Sequence, residues 1–209
     1  MVTAAAKLRA TLATPGLRKL VACYFEPDGD FAGMTFTELG DNPPNEITTD
    51  DLLAASLLDL SWPPSAVRAV LQNQNVEISA KLACIDAQTE LWDASEELLA
   101  KVDDLWSALV AIKGIGDVRA VKLLARKRPL LGPITDSVVV GAIGLPKRTR
   151  DVIRCLTKSE ADRALIQELC PAAASGASLL RILDVAVWML YSQSRAAKNA
   201  RKDTGLSPG

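Results

Sequence analysis

The amino-acid sequence predicts an all-α fold. Apolar residues recur at helical spacing along most of the chain, most clearly where Leu180, Leu183, Val187 and Leu190 form one stripe. Hydrophobic residues make up 49% of the chain and the mean hydropathy is +0.15, which indicates a folded globule rather than a disordered chain. At 209 residues the chain is long enough for one domain or two small lobes.

Each predicted helix is delimited by a start or stop signal or by its apolar spacing. Thr48 and Asp51 form a helix start, and the run from Trp62 to Pro64 interrupts the following apolar segment. The Gly/Pro/Asp-rich loop at 27–45 is expected to contain a small β-hairpin around 32–38. The predicted helices are 4–11, 16–25, 48–60, 65–72, 78–83, 95–112, 118–126, 137–143, 148–155, 159–169 and 179–197.

The segment 196–209 is basic at first and then rich in Gly, Ser and Pro, so we expect a flexible C-terminal tail. No apolar run reaches transmembrane length and no signal peptide is recognisable. We therefore expect a cytoplasmic protein without a membrane partner.

Basic residues are concentrated between positions 113 and 150, where Asp117 and Asp136 are the only acids. The chain as a whole has a net charge of −1, and its N-terminal half is acidic. This asymmetry favours a basic face that contacts nucleic acid, although a solvated surface would produce the same run of charge. The basic residues are Lys113, Arg119, Lys122, Arg126, Lys127, Arg128, Lys147, Arg148 and Arg150.

A glycine-containing turn is predicted at 112–116, between two helices. Gly114 and Gly116 lack a Cβ, so the chain can reverse tightly and bring its backbone close to a ligand. The next helix begins near Asp117, and its unpaired N–H groups can bind a phosphate. An ordinary turn of a helical hairpin explains the glycines equally well.

Asp136 follows a proline-bracketed apolar loop and precedes the predicted helix 137–143. Aspartate is a favoured N-cap, which gives it a purely structural role. An ionised carboxylate at this place could also stabilise the positive charge that develops on a sugar as its glycosidic bond breaks, or activate a water molecule. The two roles are compatible.

Residues 112–116 together with 133–136 resemble the hairpin and catalytic loop of the helix-hairpin-helix DNA glycosylase superfamily, which includes endonuclease III. The resemblance implies a single two-lobed helical domain at 1–195, with the hairpin and catalytic loop at 98–145 and an extruded nucleotide held in the cleft between the lobes. It implies that Asp136 is the catalytic acid. It assigns phosphate binding to Gly114 and Gly116. Their neighbours in the turn and on the basic segment that follows are further candidates for contact with the DNA backbone, namely Lys113, Ile115, Val118, Arg119 and Lys122.

The chain departs from this superfamily in two respects. Members that also cleave the backbone carry a lysine where this chain has Val118, 18 residues before Asp136, so the resemblance implies no lyase activity. Lys122, about one helical turn further on, is the one credible substitute amine. Four widely separated cysteines and the absence of histidine predict no iron–sulfur cluster, no metal and no cofactor. The cysteines, which we expect to be core thiols, are Cys23, Cys84, Cys155 and Cys170.

Three residues are candidates for the base pocket or for a wedge in the duplex. Trp62 lies in a loop, where an aromatic ring can stack on an extruded base or cover the core beneath the Pro-Pro bend. Tyr24 precedes an acidic loop. Gln72 can donate to a base edge or simply end a helix.

The resulting hypothesis is a monofunctional DNA glycosylase that acts as a monomer in the bacterial nucleoid. Its partner would be double-stranded DNA containing a damaged or modified base, in repair or in defence against phage DNA. The alternatives are a non-catalytic helix-hairpin-helix DNA-binding module and a helical protein-interaction domain.

Overall fold

The computed structural model describes residues 2–29, 31–144 and 149–206. Within these residues there is no β-strand, and the all-α prediction is confirmed for them. The α-helices are α1 (Val2–Leu12), α2 (Leu17–Tyr24), α3 (Thr49–Ser56), α4 (Pro64–Arg68), α5 (Asn75–Ala83), α6 (Glu96–Ala111), α7 (Asp117–Lys127), α8 (Ser137–Ile143), α9 (Thr149–Thr157), α10 (Glu160–Leu169), α11 (Leu179–Tyr191) and α12 (Arg195–Thr204). Short 3-10 helices lie at Ala32–Thr37 and Ala172–Ala174, and a π-helical turn lies at Ala69–Asn73.

The helices form two compact units. Unit 1 comprises Met1–Met34 and Pro133–Gly209, and unit 2 comprises Thr35–Gly132. No helix in the described part of the chain is both long and apolar enough to span a bilayer.

Helix α11 forms the core of unit 1. Ten of its 13 residues are buried, and α2, α8 and α10 pack against it. Its nearly continuous apolar sequence explains this position, because a helix that is apolar on all sides is stable only when it is surrounded. Two charged residues, Arg181 and Asp184, are buried within it.

Helix α6 organises unit 2. It buries Leu99, Val102, Leu105 and Leu109, whose spacing of three or four residues places them on one face. Helices α5 and α7 pack against α6, and α3 packs against α7.

The predicted start of α3 is confirmed as a capping box. The Thr48 hydroxyl accepts a hydrogen bond from the Asp51 N–H, and the Asp51 carboxylate accepts one from the Thr48 N–H at 2.8 Å. Two donors of the first turn are therefore satisfied by neighbouring side chains.

The β-hairpin predicted around 32–38 is wrong, since Ala32–Thr37 forms a 3-10 helix. The buried Arg126 guanidinium donates hydrogen bonds to the carbonyl oxygens of Phe36, at 2.6 Å, and Leu39. A distant side chain thus takes the acceptors that a partner strand would need.

The flexible tail predicted from residue 196 is also wrong for the described residues. Helix α11 ends at Tyr191, not at 197, and α12 follows. Arg201 is buried and donates to the carbonyl oxygens of Met189 and Ser192, which fixes α12 to the end of α11. Residues 207–209 lie outside the described residues.

The prediction that the cysteines are core thiols is wrong, since none of the four is fully buried. All four are free, but Cys84 and Cys155 are exposed, and Cys23 and Cys170 are half-buried. Cys84 is the C-cap of α5, between the exposed Ala83 and the buried Ile85.

Candidate functional site

The glycine turn (residues 112–116) joins α6 to α7 in unit 2. Ile112 and Ile115 are buried and anchor it, and the Ile115 N–H donates to the Ile112 carbonyl at 2.9 Å. Gly114 has φ +94°, a conformation that side-chain-bearing residues rarely adopt. The tight reversal therefore depends on glycine at position 114.

Gly116 serves a different purpose, because its backbone is extended with φ −95° and ψ 179°. It is the N-cap of α7 and supplies no side-chain hydrogen bond to the first turn. A Cβ built on Gly116 would meet no atom within 4 Å. The start of α7 thus presents bare backbone, with its N–H groups uncapped by any side chain, in a form that suits an anion.

The segment 58–65 packs beside the glycine turn and will be called the proline loop. A Cβ on Gly114 would lie 3.0 Å from Cγ of Pro63. Arg119 donates from Nε to the Ser61 carbonyl at 2.8 Å, so this predicted phosphate ligand already holds the loop. Trp62, in the middle of the loop, is half-buried and donates from Nε1 to the Leu52 carbonyl at 2.8 Å.

Lys122 does not lie on the surface as a DNA-binding residue should. It is 5% exposed, and its Nζ donates to the Leu58 carbonyl at 2.6 Å. Its position on the buried face of α7 explains this, because Ala120, Leu123 and Leu124 face the core around it. The predictions that Lys122 contacts phosphate or supplies a reactive amine are therefore wrong for this structure.

The run Arg126–Lys127–Arg128 is likewise interior and does not form a basic face. Arg126 and Lys127 both pair with the carboxylate of Asp51, and all three residues are buried. Burial lowers the pKa of Lys127, and the Asp51 carboxylate opposes that shift. Arg128 donates to the carbonyls of Ile85 and Leu82 and to the Asn45 amide oxygen.

Few basic side chains remain on the surface near the glycine turn. Lys113 is exposed within the turn, and Arg68 is exposed at the end of α4. Val118 is 39% exposed on the first turn of α7, and Gln72 is exposed in the π-helical turn. Of the last three residues of the predicted basic run, Lys147 and Arg148 lie outside the described residues, and Arg150 is half-buried in α9.

Asp136 is the N-cap of α8 in unit 1. Its Oδ1 accepts hydrogen bonds from the N–H groups of Val138 and Val139, at 2.9 and 3.0 Å. The residue is half-buried, and no described residue donates to Oδ2. The predicted capping role is confirmed.

An aromatic cluster lies in unit 1, the unit that also contains Asp136. Tyr24 stacks on Phe31 with ring centroids 5.1 Å apart, and both rings meet Trp188 edge-on at 6.1 Å. Burial raises the pKa of Tyr24, and the charge of Arg181 opposes that shift; the negative charges of Asp184 and, least of all, Asp136 add to it. Two of the predicted site residues, Tyr24 and Asp136, therefore belong to the same unit, and Tyr24 is buried in it at 5% exposure.

A buried ion pair, which the sequence did not lead us to expect, fixes this cluster. Arg181 donates from Nη2 to the Tyr24 hydroxyl at 2.6 Å and to the Gly33 carbonyl at 2.8 Å, and it pairs with Asp184. Both charged residues lie in the otherwise apolar sequence of α11. The sequence did contain a signal for this ion pair, namely two opposite charges three residues apart in a helix that is otherwise apolar.

The glycine turn and proline loop belong to unit 2, whereas Asp136 and the aromatic cluster belong to unit 1. The chain belongs to a family of unknown function, DUF6308, whose model matches residues 18–191. This span includes the glycine turn, Asp136 and the aromatic cluster, and it ends before α12. No curated protein and no solved structure matches the chain.

Proposed function

We propose that this protein is a monofunctional DNA glycosylase, which hydrolyses the N-glycosidic bond of a damaged or modified base in double-stranded DNA and leaves an abasic site. The observation that carries the proposal is the carboxylate of the half-buried residue Asp136. One of its oxygens is fixed by two backbone N–H groups, and no described residue donates to the other. A positioned carboxylate of this kind can stabilise an oxocarbenium-like sugar or take a proton from water.

Asp136 can act without a covalent intermediate. As the base departs, Oδ2 would lie against the cationic sugar, and a water molecule would add at C1′ and transfer its proton to the carboxylate. Val118 carries no amine and Lys122 is buried, so neither residue supports a Schiff base at C1′. The reaction as proposed requires no metal or cofactor, and the protein would act as a monomer.

The glycine turn would hold the DNA backbone in the manner of a helix-hairpin-helix motif. Support comes from the open approach to Gly116 and from the uncapped N–H groups at the start of α7, which runs for 11 residues. Backbone N–H groups and a helix dipole favour phosphate without reading sequence. The proline loop packs beside the turn and brings Trp62 to the same part of unit 2.

The hydrogen bonds of Asp136 also favour a second candidate, a non-catalytic DNA-binding module. Two N–H groups bound to Oδ1 are what an ordinary N-cap provides. In that case the carboxylate would stabilise α8 and would have no chemical role.

The deciding experiment incubates the protein with duplexes that carry alkylated, deaminated or bulky modified bases, and with phage DNA, and detects free bases by mass spectrometry. Asp136→Asn keeps the N-cap, because Asn caps as well as Asp. We expect it to lower base release by at least about 100-fold while DNA binding persists. Asp28→Asn, at an exposed acid of unit 1, is the matched control.

Undiminished base release by Asp136→Asn would contradict the catalytic assignment. Binding of duplex by the wild-type protein without release of any base would favour the binding module instead. A cooperative thermal transition like that of the wild type would establish that the variant is folded.

A further inference from the structure

Positive charge is distributed unevenly between the two units. Unit 1 contains 15 Lys and Arg against 10 Asp and Glu, a formal charge of +5, whereas unit 2 contains 9 against 15, a formal charge of −6. These values add to the net charge of −1. Unit 2 also buries four of its nine cations, namely Lys122, Arg126, Lys127 and Arg128. Accessible positive charge therefore lies mainly on unit 1.

Helix α12 carries part of that charge as an ordered stripe. Ala197, Ala200 and Arg201 are buried, whereas the basic residues at 195, 198 and 202 lie outside this buried face. Their spacing of three and four residues aligns them on the outward face. We call this set the α12 stripe (Arg195, Lys198 and Lys202). It is about 10 Å long at 1.5 Å per residue, or roughly three nucleotides at 3.4 Å each.

Packing within the protein does not account for the α12 stripe. No carboxylate of the described residues forms an ion pair with any of its three side chains. The helix itself is held by Arg201, by the Ser194 cap and by packing against α2 and α11. The cations are consequently presented on a fixed helix and are free to bind a ligand.

Helix α2 adds a cation beside the stripe. Gly16, Lys19 and Cys23 lie on one side of α2, since they are three and four residues apart. Helices α2 and α12 pack against each other, and a Cβ built on Gly16 would lie 3.5 Å from Cδ2 of Leu206. The charge of Asp203 contributes to raising the pKa of Cys23, after the larger effects of burial and of Glu26. Both observations place the end of α12 beside the side of α2 that carries Gly16 and Cys23. Lys19 is exposed between these two positions, so it lies on the side of α2 that faces the end of α12.

We propose that the α12 stripe and Lys19 bind the phosphate backbone of double-stranded DNA. This inference rests on the proposed function for its choice of polyanion. Long cationic side chains on a fixed helix suit phosphate contacts that position a duplex without reading its sequence. Such contacts would give unit 1 its own affinity for DNA, separate from the backbone N–H groups of the glycine turn.

The test measures binding of a fluorescein-labelled, undamaged duplex of about 25 base pairs by anisotropy across a salt series. The stripe variant is Lys198→Gln with Lys202→Gln. The control is Lys81→Gln with Lys101→Gln, which removes two lysines paired with acids of unit 2. Both variants have the same reduction in net charge and the same residue type replaced, so only the location of the charge differs.

For the stripe variant we expect the slope of log K against log salt to become shallower by about 1.8, because each phosphate that is no longer neutralised reduces the slope by about 0.9. At 0.1 M salt this corresponds to affinity reduced by roughly 10- to 60-fold. The control should keep the wild-type slope. Equal slopes for the stripe variant and the wild type, or an equal reduction in the control, would overturn the proposal.

Tighter binding of anionic lipid vesicles or of single-stranded RNA than of duplex DNA would also overturn it. The substituted side chains are solvent-accessible, and unchanged thermal melting will show that both variants fold. Because the duplex is undamaged and only binding is measured, the result is independent of whether Asp136 releases a base.

Discussion

Replacing Gly116 with serine should weaken DNA binding without harming the fold. The backbone of Gly116 is extended, and a Cβ there meets nothing within 4 Å, so serine fits without strain. Serine is a slightly better N-cap than glycine, by a few tenths of a kcal/mol. The free energy of unfolding should therefore be unchanged or slightly higher, as measured by urea denaturation.

DNA binding by Gly116→Ser should decrease for two physical reasons. The new hydroxyl would accept the first-turn N–H groups of α7 that a phosphate would otherwise use, and its Cβ would occupy the approach. A hydrogen bond to a charged group contributes about 1.5–3 kcal/mol, so the dissociation constant should rise by about 10- to 150-fold. Fluorescence anisotropy with an undamaged duplex measures this change.

Gly114→Ala provides the opposite pattern and serves as the control. Its φ of +94° disfavours alanine, and the new Cβ would lie 3.0 Å from the ring of Pro63. We expect stability to fall by about 1–3 kcal/mol. If Gly116→Ser is as stable as the wild type and binds duplex equally well, the glycine turn is only a structural connection and the phosphate-binding argument is refuted.

Three further outcomes follow from the buried charges. Asp51→Asn should lower the unfolding free energy by about 3–5 kcal/mol, because two buried cations lose the carboxylate that pairs with them. Asp104→Asn, at an exposed ion pair, is the control and should lower it by less than about 1 kcal/mol. Urea titration measures both changes. The hydrogen bonds from Arg9 lower the pKa of Asp162, so this pair stabilises the fold above about pH 4. The stabilisation is lost as the pH falls further and the carboxylate is protonated. Between about pH 4 and pH 2 the unfolding free energy of Arg9→Gln should therefore decrease less than that of the wild type. Borohydride added during turnover should trap no protein–DNA adduct, since the Lys122 amine is buried, and a trapped adduct would contradict this.

The helices were predictable from the sequence wherever local signals determine them. The Thr48 capping box and the apolar stripe of α11 are read from residues a few positions apart, and both are confirmed. The 3-10 helix at Ala32–Thr37 was not predictable in this way. Its Phe36 carbonyl accepts a hydrogen bond from Arg126, which lies 90 residues away in the sequence.

The candidate site was only partly predictable from the sequence, because some of its contacts join residues that are far apart in the chain. Asp136 and the glycine turn are local motifs, and the capping of α8 and the sharp reversal at Gly114 agree with their sequence patterns. The basic run Arg126–Lys127–Arg128 led to a wrong prediction, because three consecutive cations are typical of an exposed surface unless buried acceptors are available to them. In this protein those acceptors are Asp51 and a set of backbone carbonyls from residues 36 to 85, which no local pattern connects to α7.

The interior position of that run changes how DNA would have to be bound. Unit 2 has a formal charge of −6, so its own net charge does not attract a phosphate to the glycine turn. Binding there would rely on short-range hydrogen bonds from uncapped N–H groups, which act only on contact. The surface cations of unit 1 would then have to supply the long-range, salt-dependent part of the affinity. Gly116→Ser and the α12 stripe variant should therefore differ in kind, the first lowering affinity at every salt concentration and the second reducing the salt dependence itself.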